Sequence, residues 1–74
     1  MYFLRFADDY LEAAKGFKTL KGAREAYEET AEELWRYGQA IEATVHIAGS
    51  IDEVAEYPDY LLTYTDGLFV EEAL

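Results

Sequence analysis

The chain has 74 residues, 51% of them hydrophobic and 16% aromatic, with no cysteine and a net charge of −10. It is too apolar for a disordered tail, and the lack of cysteine excludes a disulfide framework, a zinc knuckle and a thiol nucleophile. Sixteen acids against six lysines and arginines should repel nucleic acid and anionic membranes and attract basic partners.

The length predicts a single domain over 1–74. A core this small supplies on the order of 3–5 kcal/mol of net stability. The opening "MYFLRFADDY" has a short apolar run followed by acids, unlike a secretory leader. No apolar stretch reaches the length of a membrane span. The expected compartment is the cytoplasm.

In "YFLRF", residues 2–6, aromatic and aliphatic residues at period two predict a first strand. Through "DDYLEAAKG", Asp8 is a candidate cap and Gly16 a terminator, which predicts a short helix. A hairpin arm is the alternative over 8–16. "TLKGAREAYEETAEELWRYG" is the clearest helix. Thr19 is the N-cap, Gly38 follows the C-terminus, and Leu20, Ala23, Tyr27, Ala31 and Leu34 form an apolar stripe.

"IEATVHIA" alternates Ile41, Ala43, Val45 and Ile47 against Glu42, Thr44 and His46, a strand with one buried and one wet face. "SIDE" reads as a capping box, Ser50 with Glu53, opening a short helix that ends before Pro58. "YLLTYTDGLFVEE" predicts a closing hairpin with a three-residue loop, Thr65-Asp66-Gly67. That loop puts Leu68 and Val70 on one face with Tyr60, Leu62 and Tyr64. A two-residue Asp66-Gly67 turn would instead bring Glu71 into the apolar face. The expected fold is α+β: a small, mostly antiparallel sheet of three to four strands, one long helix on one face, and one or two short helices.

The long helix carries Glu25, Glu28, Glu29, Glu32 and Glu33. A solvated helix face accounts for many such rows, and a salt-adapted surface is a further ordinary explanation. The arrangement nevertheless opposes stability. Glu25–Glu29, Glu28–Glu32 and Glu29–Glu33 are like-charge i,i+4 pairs, each costing about 0.2–0.5 kcal/mol. Lys21 and Arg24 lie near the first turn and Glu32 and Glu33 toward the last, against the macrodipole. Only Arg36 is well placed, within reach of Glu32 and Glu33. Residues kept against stability mark a binding role. Five carboxylates over this rise give roughly one charge per 2.7 Å. Duplex DNA carries about one per 1.7 Å. Asp52, Glu53, Glu56 and Asp59 form a second acidic set, which would extend the field if the two helices lay side by side.

Other chemistry is sparsely represented. His46, the only histidine, belongs to the wet face and has no second histidine or cysteine to complete a soft-metal site. Ser50 is accounted for as a cap, "YTDG" lacks the spacing of an EF-hand loop, and no phosphate-binding glycine loop occurs. No enzyme, metal or cofactor is expected. Tyr57, Tyr60 and Tyr64 are core candidates, with Tyr57 the most exposed, and Trp35 is a core edge or an anchor on the acidic rim.

"GFKTLKGAREAYEETAEEL" followed by "SIDEVAEYPDYLLTY" resembles small proteins encoded by phages and other mobile elements. Among these, short acidic chains without cysteine resemble anti-CRISPR proteins that act as DNA mimics, a likeness of size and charge. The resemblance implies binding to the basic DNA-binding surface of a Cas effector subunit, and it transfers no site residue. The expectation is therefore a monomeric inhibitor that binds a basic nucleic-acid-binding protein, without binding nucleic acid or membrane itself. Glu71 and Glu72 would guard the last strand's edge. The alternative is a structural or regulatory homodimer joined through the sheet face or edge strand.

Overall fold

In the computed structural model, which describes residues 1–7 and 9–74, five strands form one antiparallel sheet crossed by one helix. The strands are β1 (Tyr2–Phe6), β2 (Lys15–Phe17), β3 (Ala43–Ile47), β4 (Tyr60–Thr65) and β5 (Leu68–Ala73), in spatial order β2-β1-β3-β4-β5. The helix α1 covers Leu20–Arg36. The α+β class and the antiparallel sheet are as expected, but five strands replace the three to four anticipated.

The extra strand comes from 8–16, where the alternative reading is the better one. Leu11–Ala13 is a single 3-10 turn, and β2 then returns along β1 with Gly16 opposite Phe3. The proposed Asp8 cap lies outside the described residues. A Cβ on Gly16 would come within 3.0 Å of both Met1 Cε and Phe3 Cε1. Glycine therefore lets those two side chains close over β2, an aromatic covering an edge glycine.

Local signals set α1 as read. The Thr19 hydroxyl accepts from Gly22 N at 3.0 Å. Past the last turn, Gly38 has φ +75°, and its N–H returns to the Trp35 carbonyl. The stripe meets the sheet through buried Ala23, Tyr27 and Ala31, packed on Leu4, Ala43, Val45 and Leu62. Small residues on both sides bring the helix close and leave room for the Tyr27 ring. That ring lies between Phe6 and Phe69, 6.1 and 5.9 Å away between centroids. Its hydroxyl donates to the Ile41 carbonyl at 2.6 Å, so the polar end is satisfied at full burial.

Three expectations are corrected. First, His46 is not wet: it is 1% exposed. It belongs to the sheet face away from α1, and residues 48–59 cross over it. Its Nδ1 lies 2.8 Å from the Ala55 carbonyl and its Nε2 2.9 Å from the Thr44 hydroxyl. A carbonyl only accepts, so Nδ1 carries the proton. Phe3, beside His46 in the β1–β3 pairing, is buried with it.

Second, "SIDE" makes no capping box. Ile51–Glu53 is one 3-10 turn, and Ser50 makes no side-chain cap bond. One turn gains too few hydrogen bonds to propagate, and the segment is held by its ends instead. Met1 and Ala48 exchange backbone bonds, and Asp59 N–H donates to the Val45 carbonyl.

Third, the hairpin turn has two residues. Asp66 and Gly67 have φ +52° and +78°, and Thr65 pairs with Leu68. Two left-handed positions make the tight turn whose twist suits a hairpin. The register shift puts Phe69, Glu71 and Ala73 on the helix side and leaves Leu68 and Val70 on the far face, 65% and 45% exposed.

Candidate docking surface on the acidic helix

Tyr27 anchors α1 to the sheet, so residues half a turn away face solvent. Glu25, Glu29, Glu32 and Glu33 are exposed and Glu28 is half-buried. The side chains expected to form the acidic row therefore do share the outward part of one helix.

Two ion pairs occur among the described residues. Lys21 Nζ lies 3.8 Å from Glu25 Oε1, with both side chains mostly in water, a geometry worth little. The other pair turns away from the row. Arg24 spans to β5 and donates from Nε and Nη2 to Glu71 at 3.0 and 2.9 Å. It is thereby withdrawn from Glu28, its i+4 neighbour. Arg36, though expected within reach of Glu32 and Glu33, makes no ion pair with either. Four glutamates of the row, all but Glu25, thus have no ion-pair partner among the described residues.

The second acidic set lies elsewhere. Asp52, Glu53 and Glu56 are exposed on the segment that crosses the far face of the sheet. Asp59 is half-buried, and its Oδ2 accepts from Ile47 N at 2.7 Å while its carbonyl accepts from Leu74 N at 3.0 Å. That residue locks the ends of β3, β4 and β5 together. The two sets are separated by the thickness of the sheet and do not merge into one field.

A shallow cavity of about 330 Å³ opens between the approach to β3, residues 40–42, and the end of β4, residues 63–65. Glu42 is its one ionisable wall with a carboxylate. Burial, and secondarily the Glu42 charge, push the Tyr27 hydroxyl up to about 12. Trp35 packs edge-on against Tyr64, 6.2 Å between centroids, which makes it a core-edge residue. Tyr60 and Tyr64 also pack on the core, and Tyr57 stays exposed, as expected. Among the described residues no cluster of three or more His, Asp or Glu side chains has the geometry to hold a metal ion. Nor is any helix among them long and apolar enough to cross a membrane.

The Arg24–Glu71 pair and the exposed Leu68 and Val70 escaped the sequence reading. The available signal was the Asp66-Gly67 dipeptide, the strongest short hairpin turn, which by itself fixes the register that aims Glu71 at α1. Comparison with protein-family models, characterised proteins and solved structures finds no match for the chain.

Proposed function

We propose that this chain is a non-enzymatic binding protein that docks the outer face of α1 onto a basic, nucleic-acid-binding surface of another protein and displaces the nucleic acid. The observation that carries the reading is the diversion of Arg24. Arg24, the i+4 neighbour of Glu28, is committed to Glu71, and Arg36 makes no ion pair with Glu32 or Glu33, so Glu28, Glu29, Glu32 and Glu33 have no ion-pair partner among the described residues. With a net charge of −10, long-range attraction to a cationic cleft speeds encounter, and the chain itself is repelled by DNA and RNA. A Cas effector subunit of a bacterial host, opposed by a phage-encoded inhibitor, is the narrower form of the proposal. It rests on the resemblance of size and charge.

The test is displacement of labelled duplex from a basic DNA-binding protein as this chain is titrated in. Displacement should weaken as salt rises, since exposed charges are screened within about 10 Å at 0.1 M. A ternary complex in which duplex and chain bind without mutual effect rejects the reading. The second reading, association of two copies through the sheet, is favoured by one observation: Leu68 and Val70 stand exposed on an edge strand.

A further inference from the structure

We infer that β5 is a self-complementary pairing edge, and that two copies join antiparallel along it with Glu71 on the two-fold axis. The inference deepens the second reading above and uses a surface separate from the acidic face of α1.

The sheet has two edges, and they differ. β2 has three residues and begins with Lys15; shortness and lysine both discourage pairing. β5 has six residues and neither proline nor lysine. Its expected guards were Glu71 and Glu72. Glu71 is turned to the helix side and held by Arg24, so only Glu72 remains a free charge on this strand.

The hydrogen-bond phase of the hairpin says which backbone groups are open. Leu74 N–H donates to the Asp59 carbonyl, which makes Tyr60–Ala73 a pair that does not exchange bonds. Alternation then turns the N–H and C=O groups of Leu68, Val70 and Glu72 toward β4 and those of Phe69, Glu71 and Ala73 outward.

Glu71 is the middle one of the three outward-bonding residues of β5, Phe69, Glu71 and Ala73. An antiparallel pair centred there engages all three in each copy and forms about six interchain backbone bonds. Leu68 of each copy faces Leu74 of the other, joining two side chains that are each 65% exposed. Val70 faces Glu72, and Phe69 faces Ala73. Two carboxylates opposite one another on the axis would normally oppose pairing. Here each is already neutralised by its own Arg24, so the charge arrangement fits a second copy. The axis stands perpendicular to the sheet, which places both copies of α1 on the same side and doubles the acidic face. Two chains of −10 repel, so pairing strengthens with salt, whereas docking to a basic partner weakens with salt.

The absence of cysteine makes the register testable by single-cysteine chains. Val70→Cys and Glu72→Cys alter exposed positions of the full chain. Mixed under mild oxidant, they should form the covalent dimer at least roughly tenfold faster than either does alone, because 70 faces 72 and neither faces itself. Equal rates in all three samples, or faster crosslinking of a single variant, overturn the register. Sedimentation equilibrium of the unmodified chain is the second measurement. A dimer fraction that rises toward about 0.5 M salt supports the inference, and a monomer at every salt overturns it. Replacing the five α1 glutamates by glutamine should weaken displacement of duplex at least about tenfold yet preserve the crosslink pattern, so the two readings fail separately.

Discussion

Arg24 and Glu71, 47 residues apart, form a bidentate pair in which the guanidinium donates from Nε and Nη2 to both carboxylate oxygens. The pair ties the first half of α1 to the edge strand and explains how an acid enters the apolar side of the sheet. It also takes the cation out of the acidic row. Structure and proposed docking therefore meet in one contact.

Breaking that contact should be costly. Arg24→Met leaves Glu71 unpaired at a position only 22% exposed, while the arginine itself is 37% exposed. Partial exposure places the cost at about 1–2 kcal/mol, below that of a fully buried pair. Arg24→Met with Glu71→Met should recover most of the loss, because an apolar pair has no charge to desolvate. Urea midpoints for the four corners of the cycle measure the coupling. Additive losses would show that the two side chains act independently.

Tyr27 provides a test at high pH. Its hydroxyl is held up at about 12 against an ordinary value of 10.0. The folded state thus keeps a proton that the unfolded state has already released. The associated stability is present in full below pH 10 and is lost as pH rises toward 12. Tyr27→Phe should lose about 1 kcal/mol at pH 7, since the Ile41 carbonyl loses its donor. Its stability should fall less steeply than wild type above pH 10, and a parallel decline would refute the assignment.

The glutamate row separates binding charge from folding charge. Glutamine at 25, 28, 29, 32 and 33 removes three like-charge pairs and should stabilise α1 by on the order of 1 kcal/mol. The melting temperature should then rise by a few degrees, at most about 4–8 °C. Displacement of duplex should weaken by at least about tenfold. A variant that melts lower and displaces duplex as well as wild type would make the row ordinary surface.

The turn offers a local control. Asp66 and Gly67 both need positive φ, and nothing lies within 4 Å of a Cβ at Gly67. Gly67→Ala should therefore cost about 1–2 kcal/mol through backbone strain alone. Asp66→Asn should be neutral or slightly stabilising, because asparagine suits that turn. Thermal melts of the two variants check both signs.

The elements governed by neighbours a few residues apart were legible in the sequence. Thr19, the stripe through Tyr27 and Gly38 delimit α1 because capping and helical periodicity act within one or two turns. "YFLRF" and "IEATVHIA" become strands because period two is equally local. The density of charge on α1 was legible for the same reason. What covers a face was not. His46 is buried because 48–59 crosses above it, and nothing around "ATVHI" encodes that crossing. The hairpin register depended on whether Glu71 could be tolerated beside Leu62, and its answer, Arg24, lies 47 residues away. Whether Asp52, Glu53 and Glu56 join the α1 row was likewise a matter of which side of the sheet their segment takes. Backbone preferences are set within a few residues, but burial, ion pairing and the sharing of a surface belong to contacts between distant parts of the chain, and only the folded arrangement decides them.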